Sequence, residues 1–515
     1  MGLTQGLHRA VQHSPALPAT ICDGRIRTWV QSADRIARFA GALVGLGVRP
    51  GDRVAMLSLN SDYYHEYLLA VPWAGAVLNP LNTQWSVPAI AFSLVDSQTR
   101  VLIVDDTFAD LAASFIAECP ELRFVIHCGP NPSPPGLLAF DDLVSRHEPV
   151  EDAQLSEHDT AGVFYTEDAT GAPKGVALSH GGLLTSALGF IASGDTMTSA
   201  GVLLHLAPMF HLADIGAWVA RNCVGGGHVM LPAFDAVSSV EAIRRFEVTD
   251  LSVGPTMLQT LVEHPAAAEA DLRTVEYVVY GGSPISASLI ERVEAMMPMA
   301  KLVQTYGMTE LSPVISVLDA EGHANTRLRR SAGRAAPHVQ IRIVDADDVE
   351  VPVGSVGEVT VRGGGLMLGY WNQPERTADV LRNGWVHTGD AAYMDECGYI
   401  FVVDRLKDVI VTGGGDVYSA EVENALMKHP AVANCAVIGV PDQRWGQRVH
   451  AVVVAQQGTL PTSDELKGHC RTLIANYKTP HSFEFVSELP LSGSGKVLKQ
   501  QLRATHWPAG DRAVQ

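Results

Sequence analysis

The chain has 515 residues, 47% of them hydrophobic and 18% charged, with a formal net charge of −19. That length exceeds one compact core and predicts at least two domains. The acidity excludes a basic face of the kind nucleic-acid binding requires, so no nucleic-acid partner is expected. Cys22, Cys119, Cys128, Cys223, Cys397, Cys435 and Cys470 are odd in number and lack any metal-ligand spacing. Free thiols in a reducing compartment follow. The opening residues, MGLTQGLHRAVQHSP, show no signal-peptide apolar stretch, and no apolar run reaches the length of a membrane span. A cytoplasmic enzyme is the expectation.

Apolar spacing predicts a helix over 32–46, ended by Gly47, and a short strand over 53–57. A second helix is expected from 60 or 61 through 74, then buried strands at 101–104 and 124–127. The proline-rich stretch 129–136 reads as a surface loop. The same rhythm continues at 202–206, 227–231 and 275–280. It predicts an α/β fold with parallel strands covered on both faces. From 339 the pattern changes to short runs at 340–344, 357–362, 398–403 and 408–412, punctuated by Gly and Asp. These predict hairpins and a small β-barrel. A helix near 421–428 and a strand at 434–440 follow, as mixed α and β. The domain boundary is placed at the segment 404–408, separating 1–404 from 405–515.

The segment 165–175, YTEDATGAPKG, has the frame of a phosphate-binding loop. Such a loop needs small residues, hydroxyls, free N–H groups and a lysine. Its second half meets that need. Its first half, with Glu167 and Asp168, opposes it: two like unit charges about 5 Å apart at an effective dielectric of about 20 repel by roughly 3 kcal/mol. The alternative is that both carboxylates turn to solvent and leave the loop unaffected.

At this point the chain resembles the adenylate-forming superfamily of acyl-CoA synthetases, peptide-synthetase adenylation domains and firefly-type luciferases. Thr166, Thr170, Gly171, Pro173, Lys174 and Gly175 match that family's loop, while Glu167, Asp168 and Ala169 replace its Ser, Gly and Thr/Ser. The resemblance runs in order to the end of the chain. Tyr306, Gly307, Met308, Thr309 and Glu310 match the adenine and metal segment, implying a purine stack, an α-phosphate contact at Thr309 and Mg²⁺ at Glu310. Gly281, Gly282 and Ser283 would pass the adenosine; an ordinary turn is the alternative. Asp390, in Thr-Gly-Asp, and Arg405 would bind the ribose, or form a mere surface ion pair. Lys407 takes the hinge position at which the smaller domain rotates. Gly413, Gly414 and Gly415 resemble the hairpin that lines the pantetheine tunnel, with Gly415 where many relatives carry Glu, and Trp445 also fits the CoA side. Lys496 matches the adenylation lysine. His211, in Pro-x-Phe-His, would orient the incoming thiol or serve structure alone. Trp218, Val253, Met257 and Met308 are candidates for an acyl pocket, with core packing as the alternative.

The resemblance implies two steps: ATP activates an acid as acyl-AMP, and CoA thiol then displaces AMP. The altered loop burdens only the first. The expectation is therefore a ligase that makes an acyl-CoA from an acyl-adenylate and CoA, with impaired or absent adenylation, acting on a bulky hydrophobic, diterpenoid-like acid. ATP and Mg²⁺ enter only if the first step is active, and a separate adenylating enzyme is a partner otherwise. Three alternatives stay open: a complete ATP-dependent medium- or long-chain acyl-CoA synthetase, a non-catalytic adenylate-binding protein, and a ligase that loads a carrier protein's pantetheine arm instead of free CoA.

Overall fold

Thr28 opens the helix Trp29–Gly45 with a capping box: its hydroxyl accepts from the Gln31 N–H while the Gln31 side chain accepts from the Thr28 N–H. This local signal moves the start upstream of the expected residue 32. Ser61 caps the helix Asp62–Trp73 in the same manner, through the Tyr64 N–H. Every residue of that helix is buried, as a helix without a continuous polar face requires.

The computed structural model describes residues 2–167, 173–194, 196–268, 270–283, 285–412, 415–442, 444–491 and 497–506. The chain divides into two compact units, 1–340 with 361–386, and 341–360 with 387–515. The expected boundary at 404/405 falls inside the second of these. Strand Ile400–Arg405 pairs there with Trp385–Met394, and Asp404 accepts the N–H of Ser419 across the expected break.

The first unit is built on two large sheets. One has nine strands, with Lys301–Gly307, Tyr277–Gly281, Asp250–Val253, Val202–His205 and Gly227–Met230 at its centre. These run parallel, and antiparallel strands finish both edges. The other has eight, centred on Val77–Pro80, Arg53–Leu57, Val101–Asp105 and Phe124–Cys128, also parallel. Helices Ala236–Phe246, Pro255–Glu263 and Ala287–Met296 bury Ile243, Leu258 and Ile290 against the first sheet, in one core with Leu204, Leu251 and Val278. This is the α/β class expected from the alternating pattern.

The short runs from 339 fold as a five-stranded sheet of Val339–Val344, Gly357–Gly363, Trp385–Met394, Leu381–Arg382 and Ile400–Arg405. In the second unit another five-stranded sheet joins Gly415–Val417, Ile410–Thr412, Gly446–Ala455, Val432–Asp442 and Ser482–Val486. Its core of Val437, Val449, Ala451 and Val453 packs against Val422 and Leu426 of the helix Ser419–Leu426. All seven cysteines are free thiols. Among the described residues no helix is long and apolar enough to cross a membrane.

Candidate active site

Strand Thr160–Glu167 runs antiparallel to Pro173–Ser179, setting Thr166 opposite Lys174 and Glu167 opposite Pro173. On its other edge Pro173–Ser179 pairs with Gly369–Tyr370, with Tyr370 opposite Val176. Side chains two apart on a strand share a face, so Lys174 and Val176 point the same way and Tyr370 comes within reach of Lys174. The Lys174 ammonium donates to Glu310 Oε1 at 2.7 Å and to the Tyr370 hydroxyl at 3.1 Å. The Tyr370 hydroxyl donates to the same Oε1 at 2.8 Å.

Glu310 is only 4% exposed. Burial alone would favour its neutral form, but the Lys174 charge and the hydrogen bonds from Lys174 and Tyr370 prevail and hold the carboxyl below its ordinary range. Burial, reinforced by the same carboxylate, pushes the Tyr370 phenol up. Both hydrogen bonds fall on Oε1. The second oxygen of an ionised carboxylate suits a hard cation such as Mg²⁺, so the donor set fits the metal that the family implies.

Glu310 sits in the one-turn helix Thr309–Leu311, directly after strand Lys301–Gly307. The turn depends on glycine: a Cβ on Gly307 would stand 1.6 Å from the Pro313 carbonyl oxygen. The neighbouring strand brings Gly281 opposite Thr305, where a Cβ would lie 2.4 Å from the Thr305 carbonyl oxygen. Gly282 follows with φ of +81°, next to Ser283. Thus the hairpin residues Thr166 and Lys174 are joined to 306–310 through the Lys174–Glu310 pair, and 281–283 to the same strand end through Gly281. Tyr306 and Thr309 are half-buried there.

Glu167 is exposed, and its Oε1 accepts from the Trp85 indole N–H at 2.8 Å. Two residues before Glu167 on the same strand, the Tyr165 hydroxyl donates to Asp96 at 2.6 Å, and the Trp371 indole donates to the Asp96 carbonyl at 3.1 Å. His211 caps the helix Leu212–Val224, its Nδ1 accepting from the Ala213 N–H at 3.2 Å. Trp218 is buried with its indole N–H on His65, and Val253 and Met257 belong to the main core, which is the packing alternative for these three.

The second unit holds Asp390 and Arg405 as cross-strand partners, with Arg405 Nε 2.6 Å from Asp390 Oδ1. Gly389 turns the chain with φ of +70°, and its N–H donates to Glu358 at 2.9 Å. The Thr388 hydroxyl accepts from the Asp390 N–H at 3.1 Å and donates to the Val359 carbonyl at 2.8 Å, which fixes the carboxylate's backbone. Lys407 is exposed in the one-turn helix Leu406–Asp408. Gly415 pairs with Thr412, and Trp445 is partly exposed with the Arg444 guanidinium 4.7 Å over its ring. Asp168, Ala169, Thr170, Gly413, Gly414 and Lys496 lie outside the described residues.

Sequence reasoning missed Tyr370 and Trp85. Tyr370 stands in the run Gly-Tyr-Trp-Asn, and an aromatic pair beside a glycine reads first as core. It also missed the second unit's half-buried lysine, Lys499, whose ammonium lies 2.7 Å from Glu423 and 2.5 Å from the Ser419 hydroxyl.

Residues 7–371 match the AMP-binding enzyme family and 421–496 match the AMP-binding enzyme C-terminal domain. The chain is 40% identical to a feruloyl-CoA synthase of Amycolatopsis sp, covering 96% of this chain and 97% of that one. It is 36% identical to the fatty acid–[acyl-carrier-protein] ligase ScoC of Streptomyces coeruleorubidus, over 98% and 96% of the two chains. The anthranilate CoA ligase AuaEII, solved in complex with anthranoyl-AMP, superposes with a TM-score of 0.91 at 26% identity, over 98% of this chain and 97% of that one. A full-length match of this kind, with the lysine–glutamate cluster in the phosphate-loop hairpin, shows that the chain belongs to the AMP-binding enzymes, the adenylate-forming superfamily of acyl-CoA ligases.

Proposed function

We propose that this ligase forms an acyl-CoA thioester from an acyl-adenylate and CoA, and that its own ATP-dependent adenylation is weak. The observation that carries the reading is the charge at the mouth of the phosphate-loop hairpin. Lys174 already has a carboxylate partner 2.7 Å away, and Glu167 adds a second carboxylate beside Thr166. Asp168 follows in the sequence. A triphosphate tail meets this surplus of negative charge; an acyl-adenylate, with a single phosphate, avoids most of it.

In this reading Thr309 contacts the α-phosphate, Asp390 and Arg405 hold the ribose, Tyr306 stacks on adenine, and the CoA thiol attacks the mixed anhydride to release AMP. His211 orients the thiol, Gly413, Gly414, Gly415 and Trp445 line its path, and Lys407 is the pivot between the two half-reactions. Lys496 serves the first half-reaction, for which Glu310 would hold Mg²⁺. The combination resembles the non-adenylating acyl-CoA ligases of platensimycin-type diterpenoid biosynthesis, which implies a bulky hydrophobic acid and a separate adenylating enzyme.

A second reading, a complete ATP-dependent acyl-CoA synthetase, is favoured by one contact. The Trp85 indole draws the Glu167 carboxylate to an exposed position, and a carboxylate in water repels phosphate weakly. The feruloyl-CoA and anthranilate ligases among the relatives point, for that case, to an aromatic acid.

One experiment separates the two. Purified protein is given either ATP, acid and CoA, or synthetic acyl-AMP and CoA, and thioester is measured. Thioester from the second mixture alone is the expected result, with pyrophosphate release gained by Glu167→Ser with Asp168→Gly. Equal rates in both mixtures establish the complete synthetase instead.

A further inference from the structure

In the second unit, strands Gly446–Ala455 and Ser482–Val486 run parallel, with His450 opposite Ser482 and Val452 opposite Glu484. Residues two apart on a strand share a face, so His450 and Glu484 project from the same side of the sheet, diagonally across the pair. The C-terminal segment returns over this face. Val497 and Leu502 pack with Ala436, Val452 and Leu489. That packing brings His506, just after the helix Lys499–Ala504, beside His450, with ring centroids 4.7 Å apart.

Three donor atoms converge at this point. Glu484 Oε2 lies 3.3 Å from His506 Nε2 and 3.7 Å from His450 Nε2. All three ligand atoms fall within 4.8 Å of one another. The Nε2 atoms of both histidines are buried and make no hydrogen bond of acceptable geometry among the described residues. His450 Nδ1 is 2.7 Å from the Ser482 hydroxyl. With the ring proton on that side, Nε2 turns a bare lone pair toward the cluster, as a metal-binding histidine does when its other nitrogen is fixed by a neighbour. The His450 side chain is only 7% exposed.

Two buried imidazole nitrogens turned toward one carboxylate at 3.3 and 3.7 Å, outside good hydrogen-bond geometry, carry a penalty of lost hydration. A cation between them removes that penalty. Bonds of about 2.0–2.1 Å in a tetrahedral shell set neighbouring donors roughly 3.3 Å apart, and the Glu484–His506 edge already has that length. His506 is half-buried at the end of its segment, so a small rotation closes the longest edge.

We infer that His450, Glu484 and His506 bind a divalent transition-metal ion of the zinc class, fastening the C-terminal segment to the sheet. Two imidazoles and a carboxylate suit Zn²⁺, Co²⁺ or Ni²⁺ better than Mg²⁺ or Ca²⁺, which prefer all-oxygen shells. Three protein donors leave one place for water. The fastened segment is the one that follows Lys496, ten residues before His506 in the sequence. The site is independent of which half-reactions the enzyme performs.

The test uses untagged full-length protein stripped of metal with a chelator and titrated with Co²⁺. The expected result is one equivalent per chain, with the visible absorption of a low-coordinate cobalt site. His506→Ala should weaken uptake by roughly 100-fold and Glu484→Gln by about tenfold. Zn²⁺ should raise the melting temperature of the parent and leave that of His506→Ala unchanged. A metal-free melt of His506→Ala checks that the variant folds. Uptake that is equal in the parent and His506→Ala overturns the site, since other histidines then account for it; so does the absence of uptake at micromolar metal.

Discussion

Two lysine–glutamate pairs, one in each unit, have the same ammonium–carboxylate distance of 2.7 Å and opposite electrostatics. In the first unit Lys174 pairs, among the described residues, with one carboxylate, and Glu310 is held below its ordinary range against the effect of burial. In the second unit the Lys499 charge acts on both Glu423 and Asp404, yet both carboxyls are pushed up, chiefly by burial. One positive charge shared by two desolvated carboxylates leaves a surplus negative charge. The surroundings differ as well. Glu423 also accepts from the Val437 N–H at 2.7 Å, and Lys499 donates to Ser419. That lysine is tied into the fold on several sides. Among the described residues Lys174 donates to Glu310 and to the Tyr370 hydroxyl, and in the proposed reading it exchanges them for a phosphate.

Breaking the first pair should have the largest effect, and it should fall on one half-reaction. In the Glu167→Ser, Asp168→Gly background, Lys174→Ala is expected to lower the gained ATP-dependent pyrophosphate release by about 100-fold or more, the usual consequence of removing a charge aimed at a transferring phosphoryl group. Thioester formation from synthetic acyl-AMP should change less than about threefold. Equal losses in the two assays would mean that Lys174 acts mainly on structure.

Breaking the second pair should act on stability. Lys499→Met leaves Glu423 and Asp404 without their counter-charge and should cost about 3 kcal/mol. Denaturant melts with hydrogen exchange in the strand Val432–Asp442 and the helix Ser419–Leu426 would locate the loss. A change below about 0.5 kcal/mol would place this pair with ordinary surface ion pairs.

The smallest effect sharpens the comparison through pH. Glu310 has a depressed folded pKa, so the stability it contributes is present above its unfolded value near 4.5 and is lost as pH falls through the folded value. Glu423 and Asp404 have raised folded pKa values, so in the window just above their unfolded values the native state binds more protons, and lowering the pH relieves them. Between pH 7 and about 5 the second unit should therefore gain stability from this cluster while the first gains none from Glu310. Glu423→Gln should flatten the trend in hydrogen exchange of the second unit. An unchanged slope would remove the cluster as its origin.

Much of the fold was legible because the strands at 53–57, 101–105 and 124–128 are continuous apolar runs bounded by polar turns. The helix at 29–45 was misplaced at its start because a capping box outranked the apolar periodicity. The motif residues were legible as short strings in a fixed order. Tyr370 was not, because its function depends on standing beside Lys174 across a strand pair, 196 positions away in the chain. The same holds for Lys499 with Glu423 and for His450 with His506. No local pattern marks a residue whose partner arrives through sheet register. The expected boundary at 404/405 was read from the change from short β runs to mixed α and β, a pattern that carries no information on the contact of Asp404 with Ser419.

The hairpin register has a last consequence. Lys174 meets Glu310 and Tyr370 only because Pro173–Ser179 is locked on both edges, to Thr160–Glu167 and to Gly369–Tyr370. A one-residue slip would swing the lysine to the opposite side of the sheet. The aim of the lysine is therefore stored in the register of the strands that flank it, so an insertion in either one would misdirect Lys174 without altering it.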